Sequence, residues 1–366
     1  MTNSVKKQIN VGIIGCGKIS QAYFDSGKKF SVLNITACAD LDESVAQSKA
    51  AENNCKALRI TELLNDPDIS LVINLTIPSA HAAVNRDILD AGKHLYCEKP
   101  LTVDLEDALE VLALAESKKL LVGCAPDTFF SAGLQTSREI IDSGRLGPII
   151  SGTACMLSPG PESWHPNPGF YYLKGGGPVF DMAPYYLTAL VNFLGPIKSV
   201  SAITSKSFSE RVATCKERDG EKLPVEVNTH ASGTLLFHSG AVITAVFSFD
   251  VVAASHSPIE LYGTKGSIKV PDPNTFGGPV CSIVSGEENW TEHQLTRAYA
   301  ENTRGIGVAD MGQAILENRS HRASGALACH VLEVMHAFDK SSESGRTIEI
   351  ESQPERPAAL SANGLD

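Results

Sequence analysis

Val11-Gly12-Ile13-Ile14-Gly15-Cys16-Gly17-Lys18-Ile19-Ser20 reads as a buried strand, a tight turn and the first residues of a helix. The glycines at 15 and 17 let the backbone turn sharply and approach a ligand closely, and Ser20 is small enough to stand where helix packs on strand. The pattern G-x-G-x-x-S suits a pyrophosphate held at a helix N-terminus by Gly15, Gly17, Lys18 and Ile19. Alone it is a weak signal. Asp40, at the end of the next strand-like run, strengthens it, because a carboxylate there binds ribose hydroxyls. Its neighbours Leu41 and Asp42 supply no cation for a 2′-phosphate, so the cofactor reading is NAD rather than NADP. The plainer role for Asp40 is a helix cap. Gly12 to Lys18 also spell G-x-x-x-x-G-K, the phosphate loop of nucleoside triphosphatases, but Ile19 stands where that loop needs Ser or Thr for magnesium.

Outward from this stretch, strand-like runs recur at Ile9–Gly15, Val32–Ala39, near Ala57, Leu71–Leu75, His94–Cys97 and Leu120–Cys124. Helix-length segments separate most of them, one over Ser79–Ala91 stopping at Gly92 and one opening at Asp104. Such alternation predicts a doubly wound parallel sheet over residues 1–128, with ligands beyond the carboxyl ends of the strands. After it the pattern changes to longer strands with tight turns at His238-Ser-Gly240 and Gly263-Thr-Lys-Gly266. Residues 129–350 are expected to form an α+β domain whose large, mostly antiparallel sheet is covered on one face, leaving the open face for a homodimer or homotetramer. Residues 351–366, rich in Pro, Ala and Ser, read as a loosely ordered tail.

The 366 residues are 43% hydrophobic and 20% charged, enough for two cores. A net charge of -11 leaves no basic surface for nucleic acid, and no apolar run is long enough to cross a membrane. The N-terminal residues enter a strand rather than a secretory apolar region, so a cytoplasmic protein is expected. Nine cysteines without a C-x-x-C pair indicate buried free thiols, neither a disulfide framework nor a zinc site. Metalloprotease, serine-hydrolase and EF-hand motifs are missing from the sequence, and no metal is called for.

Tyr96-Cys97-Glu98-Lys99-Pro100 follows the fifth strand, and its proline favours an extended geometry for Lys99 at the ligand edge. Together with Gly15-x-Gly17, Thr76-Ile-Pro78 and the following His81, and Gly175-Gly-Gly177-Pro-Val-Phe-Asp181-Met-Ala-Pro-Tyr185, it resembles the glucose–fructose oxidoreductase, inositol dehydrogenase and rhizopine-catabolism (Gfo/Idh/MocA) family. The resemblance spans roughly Val11 to Gly266. It implies a Rossmann domain followed by an open-sheet domain, Thr76, Pro78 and His81 bordering the cofactor, Glu98 near the nicotinamide ribose, and Lys99 reaching the reacting hydroxyl. Many members carry histidine where this chain has Tyr185, and tyrosine there is similar to the glucose–fructose oxidoreductase branch, several of whose members oxidise the anomeric carbon of an aldose. For His81 the alternative is a helix-start histidine with no chemistry.

The residues themselves allow a mechanism. Asp181 and Tyr185 stand four apart, a spacing that puts both on one helix face with Asp181 as the cap. A phenol needs its pKa lowered by about three units, ~4 kcal/mol, to act as a base near neutrality. An ammonium ~4 Å away contributes on the order of 4 kcal/mol. Tyr185 is therefore the expected base, with Lys99 lowering its pKa and Asp181 orienting substrate hydroxyls; the plainer reading makes Tyr185 and Tyr186 core aromatics on a helix. Trp164 and His165, in Trp164-His165-Pro-Asn167-Pro-Gly-Phe-Tyr171-Tyr172, offer a sugar an aromatic plate and an imidazole that competes for the role of base. Asp127 favours hydroxyls over carboxylates, or else caps the helix beginning near Ser131. His321-Arg322, near the last helices, could enter the pocket but reads better as surface. The partner is a small sugar or polyol. Two rivals from other classes are a non-catalytic dinucleotide-binding sensor and an NAD-assisted glycosidase.

Overall fold

A computed structural model describes residues 8–365. The chain divides into two compact units, one holding the residues through Asp127 with Asn302–Cys329, the other Thr128–Glu301 with His330–Gly364.

In the first unit β1 (Ile9–Ile14), β2 (Leu33–Ala39), β3 (Lys56–Ala57), β4 (Leu71–Asn74), β5 (His94–Cys97) and β6 (Val122–Cys124) form a six-stranded sheet ordered β3-β2-β1-β4-β5-β6. All neighbours are parallel. The crossovers are α1 (Ser20–Lys29), α2 (Glu43–Asn53), α3 (Ile60–Asn65), α4 (Pro78–Asp90) and α5 (Leu105–Lys118). Val11, Ile13, Leu71, Val72 and Ile73 are fully buried, as strands covered on both faces require. The chain leaves β1 toward one edge and later returns to β4 on its other side, so a crevice for ligands lies at their carboxyl ends.

The second unit begins with α6 (Ala132–Asp142), β7 (Ile149–Leu157), α7 (Gly177–Asp181), α8 (Ala183–Leu194) and β8 (Ile197–Ser205). A small antiparallel pair follows, β9 (Glu210–Val212) with β10 (Lys222–Pro224). The remaining strands are β11 (His230–Phe237), β12 (Val242–Ser248), β13 (Ile259–Gly263), β14 (Gly266–Val270), β15 (Val280–Val284) and β16 (Thr291–His293), with β17 (Ile348–Glu349) near the C-terminus. Nine of them make one sheet, ordered β16-β15-β14-β13-β7-β12-β11-β8-β17. Only β7 and β12 run parallel; the other neighbours are antiparallel. Ile243, Ala245 and Phe247 of β12 point into the core, where Phe247 meets Tyr186 and Phe338 edge-on at 5.8 Å. The alternate positions Val242 and Thr244, with Ile150 and Ile203 on other strands, are exposed, so the sheet is covered on one side.

Two expectations need correcting. The helix α9 (Ile306–Glu317), read from sequence as part of the second domain, belongs to the first unit. Its N-terminus is held by the Asp127 carboxylate, which accepts from the backbone N–H of Gly305 at 2.7 Å and of Gly307 at 3.0 Å. Those partners lie 178 and 180 residues away, beyond the reach of any local pattern. The C-terminal segment, expected to be loose, is pinned along the second unit behind α10 (Gly325–Ser344). The Leu360 N–H donates to Gln135 Oε1 at 3.0 Å, Arg356 Nε donates to the Asn192 carbonyl at 2.7 Å, and Leu360 is buried. Its backbone groups are satisfied by side chains rather than by a ladder, which leaves no periodicity to read.

Candidate cofactor and active site

The loops after β2, β1, β4 and β5 lie side by side along the carboxyl edge of the first sheet. They carry Asp40; Gly15, Gly17, Lys18 and Ile19; Thr76 and Pro78; and Glu98 and Lys99, so the structure gathers these sequence-chosen residues. Gly15 has φ +97°, and a Cβ there would sit 2.7 Å from the Leu75 carbonyl oxygen, so only glycine fits. Gly17 is exposed with open space where a Cβ would project, the clearance a close-approaching pyrophosphate needs. Asp40 Oδ2 accepts from the Cys16 N–H at 2.7 Å and Oδ1 from the Asp42 N–H at 3.0 Å. Asp42, not Asp40, caps α2, accepting from the Ser44 N–H at 2.9 Å. The capping alternative for Asp40 thus falls away, and the loop and carboxylate fit a dinucleotide.

Beneath this edge lies a polar brace. Glu98 Oε1 accepts from the Tyr23 hydroxyl at 2.8 Å, and Oε2 accepts from the Lys99 N–H at 2.9 Å, which fixes the backbone from which Lys99 projects. Tyr23 is buried, and burial followed by the charge of Glu98 pushes its pKa well up, so it stays a neutral donor. Asn74 at the end of β4 accepts from the Thr76 hydroxyl at 2.7 Å and donates to Asn85 at 2.9 Å, while Asn85 donates to the Leu101 carbonyl at 2.9 Å.

His81 is fully buried beside them. Its Nδ1 faces the Pro100 carbonyl oxygen at 2.6 Å and its Nε2 the Thr76 carbonyl oxygen at 3.0 Å. A neutral imidazole carries one N–H, so two carbonyl acceptors call for the doubly protonated ring. Burial opposes that charge, but the charge of a Cys97 thiolate, its hydrogen bond and the two carbonyls hold the His81 pKa up at about 9. Burial likewise opposes a Cys97 thiolate, yet Cys124, His81 and Asn85 bring its pKa down. His81 was read as bordering the cofactor; it is a clamp joining the loop after β4 to the turn after β5. Tyr23, Asn74 and Asn85 escaped the sequence reading, although His81 and Asn85 stand four apart on α4.

Asp127 is 2% exposed and is committed to the N-terminus of α9, which removes it from the substrate residues; Ser131 is the residue that caps α6. Burial raises its pKa to about 6 despite the Gly307 and Gly305 N–H donors. His321 and Arg322, read as surface, are structural: Arg322 pairs with the buried Asp310 at 2.6 Å, and burial lowers the His321 pKa to about 4.

In the second unit the segment after β7 forms an aromatic cluster. His165 packs edge-on against Trp164, Phe170 and Tyr171 at 5.5, 5.3 and 5.1 Å, and its Nδ1 accepts from the Asn167 N–H at 3.0 Å. Trp164 is 61% exposed. An arginine the sequence reading missed holds this segment: Arg211 on β9 binds Glu162 through Nε, Asp250 at 2.8 Å and the Pro159 carbonyl at 2.5 Å. A Cβ on Gly176 would sit 2.5 Å from the Tyr171 carbonyl oxygen, and Gly175 and Gly177 have φ +85° and +79°, so the triple glycine is a packed turn. Asp181 ends α7, and Met182, not Asp181, is the N-cap of α8. Pro184 and the half-buried Tyr185 lie in the first turn of α8. Among the described residues no group of three or more His, Cys, Asp or Glu is placed to hold a metal.

The class this fold and edge define is that of NAD-binding oxidoreductases. Residues 9–125 match the model of an oxidoreductase family with an NAD-binding Rossmann fold, and residues 134–269 match the GFO/IDH/MocA C-terminal domain. These two matches span more than half of the chain, and the protein belongs to the Gfo/Idh/MocA oxidoreductase family. An uncharacterised oxidoreductase of Schizosaccharomyces pombe is 33% identical over 179 residues; the match covers 47% of this chain and 48% of the relative, about half its length. A D-xylose dehydrogenase of Paenarthrobacter nicotinovorans is 28% identical over 157 residues, covering 42% of this chain and 40% of the relative. The solved structure of a levoglucosan dehydrogenase in complex with NADH and levoglucosan shares the fold with a TM-score of 0.79, at 20% identity, over 94% of this chain and 100% of that one.

Proposed function

We propose that the protein is an NAD-dependent sugar dehydrogenase that oxidises the anomeric hydroxyl of an aldose, a pentose such as xylose or apiose, to a lactone. The observation that carries this reading is the placement of Lys99 on the same strand edge as Gly15, Gly17 and Asp40, on a backbone fixed by Glu98. The D-xylose dehydrogenase relative supports the substrate class. When bound, the nicotinamide accepts the hydride. Tyr185 takes the hydroxyl proton, the Lys99 ammonium stabilises the negative charge that develops, and Asp181, Trp164 and His165 orient the sugar. A homodimer or homotetramer through the open sheet face completes the proposal.

A second reading, oxidation of a secondary ring hydroxyl, draws on the fold shared with levoglucosan dehydrogenase, because levoglucosan is an anhydro sugar without a free anomeric hydroxyl. Aldoses, polyols, inositols and levoglucosan assayed with NAD and NADP by nicotinamide absorbance separate the two. Reduction of NAD with an aldose, and loss of about 10²–10⁴-fold in kcat/KM for Lys99→Ala and for Tyr185→Phe, are the expected results. Full kcat in Tyr185→Phe with loss in His165→Ala would move the base to His165. Preference for NADP would remove the role given to Asp40. Sugar release without net NADH points to the glycosidase, and NAD binding without any sugar-dependent reduction to the sensor.

A further inference from the structure

Three cysteines gather beside the Asp40 carboxylate, and the chemistry above uses none of them. Cys16 lies in the glycine turn after β1, Cys38 is on β2 two residues before Asp40, and Cys55 lies between α2 and β3. The sulfurs of Cys38 and Cys55 are 3.9 Å apart. Cys16 Sγ lies 3.6 Å from the Ala39 carbonyl oxygen, and its own N–H holds Asp40 Oδ2 at 2.7 Å. Cys16 and Cys38 are buried, whereas Cys55 is partly exposed and offers the way in for a small reagent. A hydrogen bond with the Cys38 thiol lowers the Cys55 pKa against its burial, which favours the nucleophilic thiolate there. Disulfide sulfurs bond at ~2.05 Å, so the pair must close by ~2 Å. Cys38 is fully buried in the ladder of β2 with β1 and β3, so the movement falls on Cys55 and the short connection from α2, which buries only Ala46 and Ala50.

We propose that Cys55 and Cys38 form a peroxide-driven, reversible disulfide that weakens cofactor binding by displacing Asp40. The Cys55 thiolate attacks one peroxide oxygen, the O–O bond breaks, hydroxide leaves and takes up a proton to become water, and Cys55 becomes a sulfenic acid. Cys38 sulfur then attacks Cys55 sulfur; the S–S bond forms, the S–O bond breaks, and the thiol proton leaves with the hydroxyl as water. The two thiols supply the two electrons that reduce the peroxide. The new bond closes a loop over residues 38–55 that contains Asp40 and strains the turn after β2 in which the Cys16 N–H orients that carboxylate. The effect on affinity rests on the NAD reading; the thiol chemistry does not.

The test exposes the full-length protein to hydrogen peroxide, maps its peptides by mass spectrometry and titrates NADH by fluorescence before and after a dithiol reductant. The expected result is a Cys38–Cys55 peptide lacking two hydrogens, NADH binding about ten-fold weaker, equivalent to ~1.4 kcal/mol, and recovery on reduction. Cys55→Ser should bind NADH as the reduced protein does and ignore peroxide; Cys38→Ala serves as a second variant that forms no disulfide. Oxygen adducts on Cys55 without the disulfide would overturn the proposal, as would a disulfide that leaves NADH affinity unchanged. If reduced protein binds no NADH, the cofactor reading fails while the mapped disulfide still reports on the thiols.

Discussion

The turn around Glu98-Lys99-Pro100 and the segment around Trp164-His165 both carry candidate chemistry, and they are held differently. Under the first, the carbonyls of Thr76, Pro100 and Leu101 are gripped by His81 and Asn85 of α4, and Glu98 is fixed by Tyr23 of α1. The second is a cluster of edge-on rings around the 3-10 turn Pro168–Tyr172, anchored where Arg211 meets Glu162 and Asp250. The first region is braced at the level of the backbone, whereas the second is held through side chains and one arginine. The family signature lies in the first region, and the second offers exposed rings whose partner only assay can name.

If one arginine holds the aromatic segment, Arg211→Ala should have the largest effect on stability. It strands two nearly buried carboxylates, and the loss expected is ~3–5 kcal/mol in urea unfolding. A change below ~1 kcal/mol would mean that the rings alone hold the segment.

Asp127→Ala probes the first unit and should cost less, ~2 kcal/mol, because two N–H groups at the start of α9 lose their acceptor. Faster hydrogen exchange at Gly305 and Gly307 is the direct measurement. Unchanged protection there would show that the helix N-terminus does not depend on the carboxylate.

The effects of pH differ in sign between two buried histidines. His81, raised to about 9, contributes stability that is full below its unfolded pKa of ~6.5 and is lost as pH climbs through about 9. His321, lowered to about 4 chiefly by burial, acts in the other direction: stability falls as pH drops from ~6.5 toward about 4, where the unfolded chain binds the extra proton. Ring-nitrogen NMR near neutral pH should show His81 with both nitrogens protonated and His321 neutral. A neutral His81 would break the carbonyl clamp as described.

Much of the first unit was legible because glycine, strand and carboxylate signals are local. The strand at His94–Cys97 matched to the residue, and the Gly15 turn follows from backbone geometry that few residue types satisfy. The misreadings share one cause. Asp127 and the C-terminal segment are explained by partners distant in the chain, and Asp127 looked like a substrate residue only because an exposed acid and a buried cap have the same letter. Arg211 gave no signal at all, since its two carboxylates lie 49 and 39 residues away.

By itself the sequence determined the alternation of strand and helix, the glycine loop of a dinucleotide fold, and the lysine after the fifth strand, all of which depend on residues within one turn or one strand end of each other. The tertiary structure alone decided which polar side chains are chemistry and which are scaffold. Burial and hydrogen-bond partnership are properties of the packed chain, and a titratable group acquires its role only when distant segments surround it.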